Sequence, residues 1–253
     1  MKYFFLRNDD VCRLDGKLRA FFEACRGLKT VSAVIPSRLT RECAEFLKSQ
    51  PTDVVQHGHR HRRDRPEDLA RGMAVMNARF GRRWVKAYVP PFHRLDVPTI
   101  QSLAALGFKA VSAGADSSPI SFLAGSDLLG LPVRMGLDFE MNKRGASLET
   151  IRKFVEKNSP RHAVFGIVVH HRKIRDMEAF RRVIGFLKDH AEKVGARAIG
   201  FKGALRLLSL PSIGARRKAR ELIRRRFASH GPLGSDDFLG RIGDFHRLGP
   251  RGG

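Results

Sequence analysis

The feature that most constrains this chain is a regular alternation of short β-type runs with stretches of helical spacing. "KYFFLR" (2–7), "TVSAVIP" (30–36), "TDVVQH" (52–57), "VKAYVP" (85–90), "FKAVSA" (108–113), "PVRMGLDF" (132–139), "AVFGIVVH" (163–170) and "ARAIGF" (196–201) read as strands. Most are separated by 12 to 20 residues with helical periodicity. In 176–190, for example, Asp176 can cap a helix whose Met177, Phe180, Ile184 and Leu187 recur on one face. Strands that alternate with helices form parallel βαβ units. Seven or eight such units in about 200 residues predict an α/β fold whose seven or eight parallel strands make a closed or nearly closed barrel. The barrel is expected over 1–208, with a basic helix and a loose tail over 209–253. The Ser-, Gly- and Asp-rich segment 114–131 is the expected long loop.

Composition narrows the class. A hydrophobic fraction of 42% with 18 Phe is that of a globular chain with a real core. Cys12, Cys25 and Cys43 are odd in number and lack CxxC spacing, so they indicate neither a disulfide framework nor a thiolate zinc site. No apolar run approaches the roughly 18 residues of a membrane span. The opening "MKYFFLRNDD" runs straight into acidic residues without a small-residue cleavage site, so we read it as the first strand rather than a signal peptide and expect a cytoplasmic chain.

In parallel βαβ folds, chemistry gathers at the carboxyl ends of the strands. Here the first strand ends in Asn8, Asp9 and Asp10, and the third in His57, followed by His59 and His61. The fourth ends in "VPPFHR", and the seventh in His170 and His171. Two histidines and a carboxylate make a sound ligand set for zinc or another divalent metal that keeps an open position for water. A second carboxylate can then act as base, and a histidine from the opposite side can protonate a leaving amine. Those are the parts needed for metal-assisted amide hydrolysis. In an extended segment His57, His59 and His61 share a face, so His59 stands as an alternative ligand.

"RNDDV", "QHGHRH", "VPPFHR" and "GIVVHH" occur in the order and approximate spacing of the polysaccharide deacetylase (NodB-homology) family, which residues 2–205 resemble. The resemblance implies a distorted (β/α) barrel that removes N- or O-acetyl groups from sugars with a divalent metal, zinc foremost and cobalt, nickel or manganese as alternatives. It implies Asp9 as catalytic base, with Asp10, His57 and His61 as metal ligands. By the same likeness the backbone N–H of Phe92, behind Pro91, is an oxyanion donor. His170 would be the general acid, with His171 as an exchange for it. His59 falls where the family has an aromatic, and His93 where the nearest branch has Asn, which makes His93 a substrate contact or a plain loop residue.

Three departures accompany the likeness. Val89 stands where the family's third motif carries a base-orienting arginine, leaving Arg94, across the loop, as the candidate replacement. Asp138 survives from a later motif in "LDFEMNK" without its tryptophan, and Arg62 and Arg63 replace an Asn-His pair. Of the histidines outside the motifs, His162, His190, His230 and His246 are expected to face solvent.

The formal net charge of +23 admits two readings, an arginine-rich solvated surface or an anionic partner. Residues 209–253 account for +6 and the body for +17. The tail segment "GARRKARELIRRRF" (214–227) sets Ala215, Ala219, Leu222, Ile223 and Phe227 against arginines as an amphipathic basic helix. It either packs on the barrel or lies on an anionic membrane, where it could meet a lipid-linked glycan at the inner face. No nucleic-acid motif stands out, and no specific nucleic-acid partner is expected. The expected function is thus metal-dependent deacetylation of a carbohydrate, such as a cell-surface glycan precursor. The rival is a metal-free, inactive barrel that binds polyanions.

Overall fold

The computed structural model describes residues 1–62, 64–114 and 126–209, apart from the side chains of Leu208 and Ser209. The basic segment 214–227 and most of the expected long loop lie outside the described residues.

Nine strands form one sheet in which every pairing is parallel. At its centre lies β1 (Tyr3–Val11). On one side follow β2 (Thr30–Val34), β3 (Thr52–His57), β4 (Trp84–Val89), β5 (Ala110–Val111) and β6 (Leu129–Gly130). On the other side are β8 (Val164–Val169) and then β7 (Val133–Gly136), while β9 (Arg197–Ala198) also pairs with the start of β1. A bridge from Gly114 to Val133, with Val133 N–H donating to Ala113 O at 2.8 Å, joins the end of β5 to β7. The two ends of the strand order therefore meet, and the sheet curls into a distorted barrel.

Alternation along β1 explains the two-layered core. Phe4 and Leu6 pack outward with the helices, whereas Phe5 joins Val31, Ala33, Val55, Ala87 and Val168 inside the barrel. The outer layer comprises α1 (Gly16–Ala24), α2 (Arg41–Ser49), α3 (Pro66–Phe80), α4 (Val97–Ala105), α5 (Leu137–Asn142), α6 (Leu148–Asn158), α7 (Met177–Lys193) and α8 (Phe201–Ser209). Helix starts follow their caps: Asp15, Thr40, Asp96, Ser147 and Asp176 each accept a backbone N–H of the first turn. At the amino ends of the strands, Phe201 of α8 packs edge-on against Phe5 and the Lys202 N–H donates to Asp53. At the opposite, carboxyl ends of the strands lie Asp9, Asp10, His57 and His170.

Several expectations need correction. The run 132–139 is not one strand: β7 stops at Gly136 and "LDFEMN" coils into α5. Leu, Glu and Met favour helix, and Asp138 and Glu140 suit the positive end of the helix dipole. In 108–113 only Ala110 and Val111 form a strand, and Leu129–Gly130 inside the expected loop forms another. His190 does not face solvent; it is buried on α7, 3.1 Å from Ser159 Oγ, and His162 is half-buried. His230 and His246 lie outside the described residues.

Candidate metal centre and active site

The strand ends bring three ligand atoms, from Asp10, His57 and His61, within 4.8 Å of one another. Each owes its place to local backbone geometry. His57 ends β3, and Gly58, at φ +58°, turns the chain sharply. A Cβ there would lie 2.7 Å from Pro91 Cγ, so the turn needs glycine for packing as well as conformation. His61 at φ +57° and Asp10 at φ +61° are also left-handed, a conformation that costs about 1–3 kcal/mol per non-glycine residue. That strain folds His61 back towards β1, so the four-residue spacing works through a turn rather than an extended segment.

The donor set fits a cation. His57 Nδ1 lies 3.0 Å from the Val89 carbonyl oxygen, to which it must donate, so a neutral His57 carries an unprotonated Nε2. That Nε2 faces Asp10 Oδ1 at 3.1 Å, and His61 Nε2 faces the same oxygen at 2.8 Å. A lone pair against a carboxylate oxygen is repulsive unless a proton or a cation sits between them. Burial pushes the Asp10 carboxyl up, but with protons on the facing nitrogens of His57 and His61 their hydrogen bonds outweigh it and hold Asp10 well below the usual carboxylate range.

Asp9 is held apart from this set. It is buried and grips Arg7 through a two-pronged pair, Nε to Oδ1 at 2.7 Å and the terminal nitrogen Nη2 to Oδ2 at 2.8 Å. Arg7, wholly buried, also donates through Nη1 to the carbonyl and hydroxyl oxygens of Ser112, at 2.8 and 2.6 Å. Burial pushes Asp9 up, yet the Arg7 guanidinium prevails and keeps Asp9 ionised below its ordinary value. The orienting arginine thus comes from β1 itself. Arg94, the expected replacement, is exposed and forms no ion pair with Asp9. Strand alternation could have found Arg7, since positions 7 and 9 share a face.

Across the opening stands His170. Its Nδ1 lies 3.2 Å from both oxygens of Asp138, and its backbone N–H donates to Oδ1 at 3.0 Å. Burial pulls the His170 imidazole down, but the Asp138 hydrogen bond and the Asp9 charge overcome it and raise its pKa. His171 faces the opposite way. Fully buried, it donates from Nδ1 to Asn8 Oδ1 at 3.0 Å, and burial takes its pKa down to about 4.

The loop after β4 supplies the remaining wall. Pro91 is buried against Gly58, and Phe92 and His93 are both left-handed, at φ +56° and +58°. The Phe92 ring, 51% exposed, packs on His61 with centroids 4.9 Å apart. His93 Nδ1 accepts the Gly114 N–H at 2.9 Å. A nitrogen that accepts is unprotonated, so His93 is neutral and carries its proton on Nε2; burial and Arg7 hold its pKa down to about 4. A second exposed aromatic, Phe139, follows Asp138 and is 55% exposed. Only its position after Asp138 could have drawn attention to it.

His59 is buried and takes no part in the ligand set. Its backbone N–H donates to Asp64 Oδ1 at 3.0 Å, while Tyr88 donates to Asp64 Oδ2 at 3.0 Å. Asp64, not singled out from sequence, thereby pins the histidine loop to β4.

No family model matches the chain, and no curated protein matches it. Solved structures do. The chitin deacetylase of the fungal pathogen Colletotrichum lindemuthianum is 14% identical, with a TM-score of 0.54 over 79% of this chain and 85% of that one. A polysaccharide deacetylase from Bacillus cereus is 12% identical, with a TM-score of 0.53 over 79% and 92%. A carbohydrate esterase family 4 pseudoenzyme, in a mutant with restored activity, is 10% identical, with a TM-score of 0.57 over 81% and 67%. The chain has the fold of the polysaccharide deacetylases. The pseudoenzyme shows that this fold alone does not guarantee turnover, so the chemistry has to be argued from side chains.

Proposed function

We propose that the chain is a metal-dependent hydrolase that removes an N-acetyl or O-acetyl group from a carbohydrate, with a cell-surface glycan precursor as its substrate. One observation carries this reading: three ligands converge on one point beside a separately held carboxylate, and a carboxylate-bound histidine stands opposite. A divalent cation held by Asp10, His57 and His61, zinc in the first instance, would supply Lewis acidity and make a water easier to deprotonate.

The chain's own residues do the rest. Asp9, kept ionised and fixed in orientation by Arg7, accepts a proton from the attacking water. His170 is held by Asp138 through Nδ1, so its Nε2 delivers a proton to the departing sugar nitrogen or oxygen as the acyl bond breaks. The Phe92 backbone N–H and the His93 Nε2–H are the donors for the oxygen on which negative charge develops. The products are acetate and the freed amine or hydroxyl. Phe92 and Phe139 offer apolar faces for sugar rings.

The intact Asp9–Asp10 pair weighs against an inactive polyanion-binding barrel. The test is acetate release across a panel of nucleotide-linked, lipid-linked and polymeric N-acetylated sugars, together with metal content of the purified protein. No acetate from any member, with no bound metal, would overturn the proposal.

A further inference from the structure

Beside the metal loop is a cavity of about 560 Å³ lined by Arg60, Arg62, Arg65, Glu67, Asp68 and Arg71. Arg60 and Arg62 flank His61 in the chain, and Arg65 and Arg71 come from the start of α3. Four guanidinium groups therefore face two carboxylates. Asp68 is already engaged: it is buried, takes the Arg65 N–H at 3.4 Å and lies 4.0 Å from Arg71. Both acids occupy the first turn of α3, where they complement the helix dipole. Arg60, Arg62 and Arg65 form no ion pair with any described residue. Elsewhere surface arginines do pair where a carboxylate is in reach, as Arg181 and Arg182 do with Glu178.

Resting on the hydrolase reading above, we propose that this cavity binds a phosphoryl group carried by the acetylated sugar substrate. Unpaired arginines crowded into one hollow repel one another, and an anion relieves that repulsion. The guanidinium fork matches the oxygens of phosphate in geometry. A lone carboxylate is satisfied by one arginine, whereas a doubly charged phosphoryl group with three free oxygens can engage several. The position next to His61 would let the phosphoryl group anchor the sugar while its acetyl group reaches Asp9. Substrate selection would then rest on charge as well as on sugar stacking.

Inorganic pyrophosphate is the probe, titrated calorimetrically into the full-length protein at low salt. An Asp10→Asn variant serves to exclude capture by a metal. The expected result is saturable binding, retained in Asp10→Asn and weakened with added salt. Arg65→Ala combined with Arg71→Ala should weaken it by roughly 100-fold, about tenfold for each charge-assisted hydrogen bond removed. Arg181→Ala combined with Arg182→Ala removes the same charge elsewhere and should leave binding unchanged. Equal weakening in both double variants would overturn the proposal, because binding would then follow net charge alone. So would binding that vanishes in Asp10→Asn. Should phosphatidylglycerol vesicles bind through Arg65 and Arg71 while pyrophosphate does not, the cavity faces a lipid surface and the proposal also falls. Acetate release is scored separately: pyrophosphate binding without acetate release sinks only the hydrolase reading, and the reverse sinks only the phosphoryl site.

Discussion

Replacing Arg7 by Met removes the charge but keeps most of the volume, and it strands Asp9 as a buried carboxylate without its partner. Breaking a buried ion pair from one side costs about 3–5 kcal/mol. In a chain of 253 residues each kcal/mol moves the melting temperature by roughly 2–4 °C, so a fall of roughly 6–20 °C is expected at neutral pH. The pH dependence gives the sharper test. In the wild type Asp9 titrates below its ordinary value, so its contribution to stability is present above that value and is lost as pH falls through the folded pKa. Without Arg7, burial is opposed only by the histidines, and the Asp9 pKa rises. The variant's deficit should therefore be largest near pH 8 and shrink as pH is lowered towards 4, since protonation discharges the stranded carboxylate. Melting curves of both proteins across that range, in the presence of chelator, measure it. In the metal-loaded enzyme the acid limb of the pH–rate profile should move upward. Arg7→Lys, with the charge but not the fork, should fall between the two. A deficit that stays constant with pH, or an Arg7→Met protein as stable as wild type, would refute the idea that Arg7 sets the charge of Asp9.

The two aspartates should separate by assay: Asp9→Asn keeps its metal and loses turnover, whereas Asp10→Asn loses metal, as elemental analysis after dialysis would show. Because Asp138 raises the His170 pKa, activity should fall as pH rises through that value, and Asp138→Asn should shift this alkaline limb to lower pH. His170→Ala should abolish the limb altogether, and an unchanged profile would pass the acid role to another group. His57→Ala and His61→Ala should each lose most of the bound metal, while His59→Tyr should retain near-stoichiometric metal. A His59→Tyr protein that comes out empty beside a loaded His61→Ala would restore the extended-segment reading.

Much of the fold was legible because its signals are local. Periods of two and of 3.6 residues placed eight of the nine described strands at least in part, and α7 with its Asp176 cap, since burial of one face imposes that spacing on any sequence. The strand 52–57 was placed to the residue. Where the pattern was short it misled: "PVRMGLDF" reads as an apolar strand, but its second half is helical. The Asp10, His57 and His61 set came from the family likeness, since the residues alone left His59 as an alternative; the turn at Gly58 brings those three ligand atoms together.

What sequence left open was decided by contacts between positions far apart in the chain. The choice between His170 and His171 turns on Asp138, which reaches His170 from 32 residues away. The His93 tautomer is set by a backbone N–H at Gly114, 21 residues on. His190 looks like a surface residue on its helix until Ser159 packs over it. The arginine that holds Asp9 sits two residues from it, yet its role depends on β1 being enclosed by the barrel, with Ser112 from 105 residues away taking its remaining donor. Sequence by itself determined which elements form and which polar residues end the strands, because period and turn chemistry act within a few residues. Only the tertiary structure decided which of those residues pair, which are buried and which proton sits where, because burial and hydrogen bonding are settled when the sheet closes and distant strand ends meet.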